Sequence, residues 1–298
     1  MFKFGFQLEL EEEALPKDEE TKTLIGGTRG QEADQNGVAR VPANDCEELH
    51  MATSLPETIN PETVNCFKLS EECTIEYLNH LALLMEKTFS EEIVTAEADH
   101  SDLVPNRYEG GLKVWECTFD LGTFLADSSE LKAQFVAKTV LDLGCGAGIL
   151  GIEAKLLGAS EVHFQDYNKD VLTKTTMVNY ALNDRSDEDS CKSDTTVVRF
   201  FSGDWASFTE RYETTYDLIL TSETIYNTEN YGKLLDLFDR KLSPGGIVYL
   251  AAKTYYFGVG GGIRLFEKQI DTDGRFRYET VWRCDSGVKR EIMKIERK

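Results

Sequence analysis

The sequence predicts an α/β fold in which seven strands form a doubly wound, mostly parallel sheet with helices on both faces. Short runs rich in β-branched residues alternate with helix-like segments from residue 140 onward, which is typical of a parallel sheet covered on both sides. A glycine-rich segment follows the first of these runs directly. The last two runs flank Asp285-Ser286-Gly287, which predicts a C-terminal antiparallel hairpin.

The individual elements follow from this alternation. Five runs predict parallel strands: Val140–Leu143, Val162–Gln165, Val197–Phe201, Tyr216–Thr221 and Ile247–Ala252. Helices are expected between them, at Ile149–Leu157, Asp170–Leu182 and Asn230–Leu242. The hairpin strands are Phe276–Cys284 and Val288–Glu296. The polar, acidic stretch 183–196 interrupts the pattern, and we expect it to be a disordered surface insertion.

The chain divides into three regions. Residues 1–60 hold 5 basic and 13 acidic residues, and we expect them to be mostly disordered. The exception is 2–10, where Phe2, Phe4, Phe6, Leu8 and Leu10 alternate with other residues, as in a short strand or docking motif; a frayed terminus is the alternative. Residues 61–107 are predicted to be a helical extension, because apolar residues recur at helical spacing through about residue 89. Residues 108–298 form the main domain.

Composition excludes several classes of function. The 298 residues include 32 Lys and Arg against 53 Asp and Glu, a formal net charge of −21. That charge argues against a general nucleic-acid binder and favours a basic partner. The seven cysteines include no Cys-x-x-Cys pair, so we expect reduced thiols and no metal site. The acidic start predicts no secretory signal, and the apolar stretches are too short for a membrane span.

The strongest chemical signal is Val140–Gly151, where a buried strand meets three glycines at alternate positions from Gly144. Glycines there let the backbone turn tightly and let a ligand approach, and the next helix offers free N–H groups. Read from Gly146, the spacing also fits a dinucleotide fingerprint with Asp166 twenty residues on, so a nicotinamide-dependent oxidoreductase stays open. Asp142 argues against it, because a carboxylate there suits an ammonium group better than a pyrophosphate.

The pattern Asp-x-Gly-x-Gly-x-Gly from Asp142 resembles motif I of the S-adenosylmethionine-dependent methyltransferases of seven-strand fold. Ligands of such sheets bind outside the carboxyl ends of the strands, where this sequence places polar residues. Asp166 could hold both ribose hydroxyls. Asp204 could meet an adenine amino group, and Trp205 could cover the ring. The fourth strand ends at Thr221–Tyr226, where methyl donor and acceptor would meet.

A closer resemblance rests on six blocks: Tyr108–Asp120, the segment from Asp142, Gln165–Tyr167, Phe201–Trp205, Leu220–Asn227 and Tyr256–Gly262. Together they resemble the protein-histidine N-methyltransferase family, the methyltransferase-like eighteen group, over roughly residues 100–298. The resemblance implies S-adenosyl-L-methionine as cofactor and methylation of one histidine, at the tele nitrogen, in the large-subunit ribosomal protein universal L-three. It also implies an influence on ribosome assembly or translation, and a location in cytoplasm and nucleus, including the nucleolus.

The resemblance also implies particular site residues. The cofactor site would comprise Val114, Trp115, Glu116, Cys117, Thr118, Asp142, Gly144, Gly146, Gln165, Asp166, Tyr167, Gly203, Asp204, Trp205 and Ser222. A neutral imidazole is already a nucleophile near neutral pH, so the acceptor needs only a carboxylate to orient it. We expect Glu223 in that role, with Tyr226 and Asn227 shaping the pocket; the alternative is that Glu223 caps the next segment or binds cofactor. Tyr255–Phe257 are expected on the substrate side.

Three other functions remain open at this point: a protein-lysine methyltransferase of the same fold, the oxidoreductase, and a non-catalytic ribosome-assembly factor. The lysine alternative differs because an ammonium must lose a proton before it can attack. The net charge favours steering of a basic ribosomal protein as substrate. We expect a monomer that binds neither a membrane nor a specific nucleic-acid sequence.

Overall fold

The computed structural model describes residues 44–51, 59–69, 73–86, 89–98, 104, 107–184, 196–284 and 286–298. An eight-stranded sheet dominates this part of the chain, with a separate two-stranded sheet beside it. The strands are β1 (Glu47–Leu49), β2 (Val64–Lys68), β3 (Thr74–Leu78), β4 (Thr139–Leu143), β5 (Glu161–Asp166), β6 (Val197–Ser202), β7 (Tyr216–Ser222), β8 (Leu242–Lys253), β9 (Phe276–Cys284) and β10 (Arg290–Arg297).

The strand order of the large sheet is β1-β6-β5-β4-β7-β8-β10-β9. The strands β4 to β8 pair in parallel, whereas β10 runs antiparallel to both β8 and β9. The predicted mostly parallel sheet with a C-terminal antiparallel hairpin is therefore confirmed. The order reverses at β4, between β5 on one side and β7 on the other, and such a reversal opens a crevice at the carboxyl ends of the strands.

The helices are α1 (His80–Glu86), α2 (Glu91–Ala98), α3 (Glu116–Ala126), α4 (Ser129–Ala133), α5 (Ile149–Leu156), α6 (Lys169–Val171), α7 (Met177–Asn183), α8 (Trp205–Arg211), α9 (Tyr231–Lys241) and α10 (Ile263–Asp273). A π-helical turn, Leu172–Thr176, joins α6 to α7. None of the helices in the described residues is both long and apolar enough to cross a membrane.

Two apolar layers cover the faces of the large sheet. Along β4, Val140 packs in one buried cluster with residues of α3 and α5, while Leu141 packs in another with residues of α9. Successive side chains of a strand point to opposite faces, so both faces of β4 are buried. This is why the central strands read as continuous apolar runs rather than as alternating ones.

The region predicted as a helical extension begins instead with a hairpin of β2 and β3. Residues 74–78 pair with β2 along their whole length rather than forming a helical turn. Asn179 fixes this strand, because its Oδ1 accepts a hydrogen bond of 2.8 Å from the Leu78 N–H. Helix begins only at His80, with α1 and α2 following.

The N-terminal region also departs from its prediction, because β1 adds an eighth strand antiparallel to β6. The predicted strand or docking motif at 2–10 lies outside the described residues, as do 185–195 of the predicted insertion and Asp285 of the predicted turn. β8 begins earlier than predicted, at Leu242, and includes the Pro244-Gly245-Gly246 segment.

Candidate active site

A cavity lies at the carboxyl ends of the parallel strands, at the reversal of strand order. It encloses about 890 Å³ of empty space, including a part open to solvent. Its lining consists of Glu109, Gly110, Gly111, Lys113, Val114, Trp115, Thr118, Gly144, Cys145, Gly146, Ala147, Ile149, Asp166, Tyr167, Asp204, Trp205, Ser222, Glu223, Thr224, Tyr226, Asn230 and Lys233.

Most of the predicted site residues line this cavity, although they come from five separate stretches of chain. Those that do are Val114, Trp115, Thr118, Gly144, Gly146, Asp166, Tyr167, Asp204, Trp205, Ser222, Glu223 and Tyr226. The predicted residues that are not part of the lining are Glu116, Cys117, Asp142, Gln165, Gly203 and Asn227.

The glycine loop after β4 has a backbone that other residues rarely adopt. Gly144 and Gly146 have φ of +65° and +50°. A Cβ at Gly144 would lie 2.7 Å from Thr224 Cγ2, and one at Gly146 would lie 3.0 Å from the Gly111 carbonyl oxygen. The loop therefore needs glycine both for its conformation and for its close approach to the facing chain.

Asp166, at the end of β5, supports this loop from within the cavity. Its Oδ2 accepts a hydrogen bond of 2.9 Å from the Gly146 N–H, and its Oδ1 accepts one of 3.0 Å from the Asn168 N–H. Burial raises the pKa of Asp166 to about 6, and the nearby Glu109 adds to the rise. Since a carboxylate oxygen can accept two hydrogen bonds, Asp166 retains acceptor capacity for a ligand.

Asp142 does not face the cavity, contrary to the expectation that it would meet the polar end of a ligand. Its side chain is buried, and its Oδ2 accepts a hydrogen bond of 2.9 Å from the Gly151 N–H in α5. Burial raises its pKa well above the usual range. The carboxylate thus ties β4 to the first turn of α5 and shapes the glycine loop from behind.

Gln165 and Gly203 lie behind Trp205 rather than in the lining. The Gln165 Oε1 accepts a hydrogen bond of 3.0 Å from the Trp205 indole N–H, while its Nε2 donates one of 2.8 Å to the Gly203 carbonyl. Asp204 caps α8 through the Ala206 N–H and forms an ion pair of 2.6 Å with Lys233. Gln165 therefore orients the indole, and both Asp204 oxygens already have partners within the protein.

Glu223, directly after β7, combines two unusual features. It adopts a left-handed backbone with φ of +59°, which costs energy for a residue other than glycine and is often found at functional sites. Its side chain is buried, and its Oε1 has no hydrogen-bond partner. Its backbone N–H donates to the Ala251 carbonyl at 2.9 Å, which holds the residue at the end of the sheet.

Lys253, the last residue of β8, was not predicted as a site residue; it lies outside the cavity lining but contacts Glu223. Its Nζ lies 3.6 Å from Glu223 Oε1 and 3.3 Å from Glu116 Oε2. It also lies over the rings of Trp115 and Tyr256, 5.1 Å and 5.8 Å from their centroids. Its position at the carboxyl end of the fifth parallel strand, where ligands of such sheets bind, is the signal that could have identified it.

Two neutral groups, the buried Cys117 and the half-buried Tyr256, complete the surroundings of Glu223. Burial, together with the negative charge of Glu223, raises the pKa values of Cys117 and Tyr256 well above their usual range. Neither group therefore ionises near neutral pH. Thr118 and Ser222 share a hydrogen bond of 2.7 Å, which joins α3 to the end of β7 beside Glu223.

Tyr226 and Asn227 have different surroundings. The Tyr226 hydroxyl donates a hydrogen bond to Glu109 Oε2, and burial beside this carboxylate raises the Tyr226 pKa. Asn227 instead caps the short 3₁₀ turn Thr228–Asn230, because its Oδ1 accepts from the Glu229 N–H at 3.0 Å. Asn227 therefore positions the segment after Glu223 and does not line the cavity.

An exposed apolar loop lies next to this segment. Tyr255, Phe257 and Val259 are 52%, 89% and 54% exposed. The loop is fixed by the glycines that follow it: the Gly262 N–H donates to the Ile225 carbonyl at 2.9 Å, and a Cβ at Gly261 would lie 2.4 Å from that same oxygen. The exposed side chains are thus presented by a backbone that packs directly on the chain after Glu223.

Other candidate sites are accounted for within the fold. His163 is fully buried, and its two ring nitrogens contact the Tyr216 hydroxyl at 2.8 Å and Glu161 Oε1 at 2.7 Å, as expected of a core histidine. Among the described residues, no group of three or more His, Cys, Asp or Glu side chains could hold a metal ion.

Known proteins resemble the chain over most of its length. A family model described as lysine methyltransferase matches residues 105–256. Histidine protein methyltransferase 1 homolog of Rattus norvegicus is 40% identical over 294 residues, covering 88% of this chain and 79% of that protein. The Mus musculus homolog is 45% identical over 238 residues, covering 71% of this chain and 64% of its own length.

A solved structure agrees with the fold. An S-adenosylmethionine-dependent methyltransferase from Streptococcus mutans aligns with a TM-score of 0.50 at 14% sequence identity, covering 81% of this chain and 57% of that one. At this identity the likeness supports the architecture alone. Both relatives named above act on histidine according to their names, whereas the family model is described by lysine.

Proposed function

This chain belongs to the histidine protein methyltransferase family, and we propose that it methylates one histidine, at the tele nitrogen, of the large-subunit ribosomal protein universal L-three. The observation that carries the chemistry is Glu223, a buried carboxylate in a left-handed residue with one oxygen free of hydrogen bonds. Backbone strain of this kind is often found at functional sites, and a buried oxygen without a hydrogen-bond partner is unusual. Both features support a role for Glu223 in holding a substrate group that donates a hydrogen bond.

The residues of the cavity fit S-adenosyl-L-methionine, the cofactor of this enzyme. Gly144 and Gly146 border the cavity with backbone alone, because the loop packs too closely on Thr224 and Gly111 to admit Cβ atoms. Asp166 is suited to ribose hydroxyls, and Trp205, oriented by Gln165, is suited to an adenine face. When bound, this group supplies a methyl carbon that is already electrophilic because it is attached to a sulfonium.

Glu223 would act on the acceptor rather than on the donor. A neutral histidine carries one ring N–H and one nitrogen with a free lone pair. If the N–H donates to the Glu223 carboxylate, the other nitrogen is held in the nucleophilic tautomer. The carboxylate then stabilises the positive charge that develops on the ring and can take the N–H proton afterwards.

Lys253 supports this arrangement by holding the Glu223 side chain from one side. Its contacts with Glu223 and Glu116 fix the position of the carboxylate, and the rings of Trp115 and Tyr256 shield the ammonium. A carboxylate held in this way does not need to move during the reaction. Groups that are prepositioned for the transition state contribute a large part of the rate enhancement of enzymes.

The same geometry disfavours a lysine acceptor. A carboxylate next to an ammonium favours the protonated amine, which has no lone pair with which to attack. Glu223 would therefore hold a lysine side chain in its unreactive form. The carboxylate also favours the protonated form of a histidine, but the ordinary pKa of histidine is about 6.5 against about 10.4 for lysine, so a far larger share of the imidazole stays neutral at pH 7.

Two surface properties support a basic protein as acceptor. The net charge of −21 attracts cationic partners over a long range. The exposed side chains of Tyr255, Phe257 and Val259 lie next to the segment that carries Glu223, and exposed apolar groups of this kind are common at protein interfaces. Ribosomal proteins before assembly are basic chains of the kind that this surface would attract, and they occur in the cytoplasm and the nucleus.

The test is incubation of separated large-subunit ribosomal proteins with the enzyme and isotopically labelled S-adenosyl-L-methionine, followed by mass spectrometry. We expect label on a histidine of the L-three protein and none with the Glu223→Gln variant. Label on a different protein, with L-three unmodified, would overturn the proposed substrate.

A further inference from the structure

Residues 44–49, here called the strap, lie along the edge of the large sheet at its cofactor end. The strap comes from the acidic N-terminal region, yet three of its residues pair with β6, from Glu47 opposite Ser202 to Leu49 opposite Phe200. We propose that the strap completes the cofactor cavity and that Asn44 is a positioning residue for cofactor binding, because it joins the loops after β5 and β6.

Several contacts hold the strap against the domain. Cys46 is fully buried, its N–H donates to Ser207 Oγ at 2.9 Å, and its carbonyl accepts from Arg211 at 2.6 Å. At the far end, Glu48 accepts two hydrogen bonds of 2.7 Å from Arg199. The strap is therefore an integral edge strand whose position does not depend on Asn44 alone.

Asn44 connects this edge to the lining of the cavity. Its side-chain Nδ2 donates a hydrogen bond of 2.9 Å to the Tyr167 backbone carbonyl, and its backbone carbonyl accepts one of 2.8 Å from the Asp204 N–H. Tyr167 and Asp204 both line the cavity. One residue thus bridges two lining segments that lie at the ends of neighbouring strands.

Gly203 shows how closely the strap approaches. It has φ of +118°, and a Cβ there would lie 2.7 Å from Cys46 Cα and 2.8 Å from the Asp45 carbonyl oxygen. Glycine is required at this position to admit the strap, which gives a structural reason for a residue expected to bind cofactor. The turn between β6 and α8, which carries Asp204 and Trp205, therefore rests on the strap.

This arrangement couples the strap to the cofactor. If the strap favours the loop positions that bind the cofactor, then by thermodynamic reciprocity the cofactor stabilises the strap by the same free energy. The inference depends on the cofactor site and not on the identity of the protein acceptor. Binding of S-adenosylhomocysteine, which needs no acceptor, therefore tests it separately from the proposed substrate.

The test compares three variants of the full chain by calorimetric titration with S-adenosylhomocysteine. Asn44→Ala removes the side-chain bond to Tyr167, and Asn44→Asp keeps the size but removes the donor. We expect both to raise Kd about fivefold, the effect of one net hydrogen bond. The control, Glu48→Gln, weakens the strap at its far end, and we expect its Kd to stay within about twofold of the wild type.

Hydrogen exchange provides the second readout. We expect S-adenosylhomocysteine to slow amide exchange in the peptide covering residues 44–49, and to do so less in the Asn44 variants. Wild-type Kd values for both Asn44 variants would overturn the proposal. So would an equal loss of affinity in Glu48→Gln, because the strap would then act only through overall stability.

Discussion

The two halves of the cavity are built in different ways. The half proposed to bind the cofactor, here called the cofactor half, lies at the ends of β4, β5 and β6 and includes glycines with positive φ and an acid that binds the N–H groups of Gly146 and Asn168. The half proposed to bind the acceptor, here called the acceptor half, lies at the ends of β7 and β8 and consists of side chains, with Lys253 between Glu223, Glu116 and two aromatic rings. Under this proposal, backbone conformation would determine binding in the cofactor half, and the placement of charges would determine the chemistry in the acceptor half.

The largest expected effect separates chemistry from binding. We expect Glu223→Gln to lower kcat about a hundredfold or more, the usual contribution of a positioned acid–base group, while the Kd of S-adenosylhomocysteine stays within about twofold. Steady-state kinetics and calorimetry measure the two quantities. The matched control is Glu116→Gln. This change removes the other carboxylate beside Lys253, at a residue that does not line the cavity. A similar kcat loss in both variants would contradict the assigned role of Glu223.

The next change tests the cofactor half. Gly146→Ala places a Cβ 3.0 Å from the Gly111 carbonyl oxygen on a backbone with φ of +50°. We expect the loop of the free variant to relax from this conformation, so that binding must restore a strain of about 1–2 kcal/mol and the Kd of S-adenosylhomocysteine rises about tenfold.

The control for this change is Gly245→Ala, which has φ of +76° with no atom within 4 Å of an added Cβ. We expect it to lower the melting temperature without changing that Kd. If Gly146→Ala also lowered the melting temperature but left the Kd unchanged, cofactor binding would not depend on the backbone conformation of this loop.

A smaller effect concerns recognition of the acceptor. Phe257 is 89% exposed beside the segment that carries Glu223, so Phe257→Ser removes apolar contact area without disturbing the core. We expect the KM for the protein acceptor to rise about fivefold, as for an interface residue outside the strongest anchors, with kcat unchanged. Val136→Ser, at a side chain 60% exposed elsewhere on the domain, is the control and should leave KM as it is. An unchanged KM for Phe257→Ser would remove the exposed loop from the acceptor surface.

The smallest effect is a pH dependence in the cofactor half. Asp166 has a pKa of about 6, so it is mostly ionised at pH 7.5 and mostly protonated at pH 5.5. Since ribose hydroxyls donate to the ionised form, affinity for S-adenosylhomocysteine should fall as pH drops through 6, about fourfold at pH 5.5. The Asp166→Asn variant should bind more weakly at pH 7.5 and lack this dependence. A slope that persists in Asp166→Asn would assign the titration to another group.

The contrast between the two halves also explains what the sequence could predict. In the cofactor half, Gly144 follows β4 directly and Asp166 is the last residue of β5, so the rule that ligands bind at strand ends predicts their position in the cavity lining. Asp142 was placed wrongly in the cavity, since no local pattern indicates that its carboxylate accepts from the Gly151 N–H. In the acceptor half, the position of Glu223 was predicted, but Lys253 was not, because its contacts join the end of β8 to α3 over a long sequence separation.

The strap and the β2–β3 hairpin were missed for a related reason. β1 spans three residues, two of them acidic, and it is a strand only because β6 offers an unpaired edge. β3 has apolar residues at spacings that fit a helix as well as a strand, and its pairing with β2 and the contact with Asn179 decide between them. In both cases tertiary contacts override local preference.

The most direct test of the central claim identifies the residue that carries the transferred methyl group. The methylated acceptor is hydrolysed to amino acids, and labelled methylhistidine and methyllysine are separated by chromatography. The placement of Glu223, which would orient a neutral imidazole through its ring N–H and would hold a lysine amine in its protonated form, predicts label in methylhistidine alone, lost in Glu223→Gln. Label in methyllysine, or methylhistidine formed at an unchanged rate by Glu223→Gln, would contradict the account.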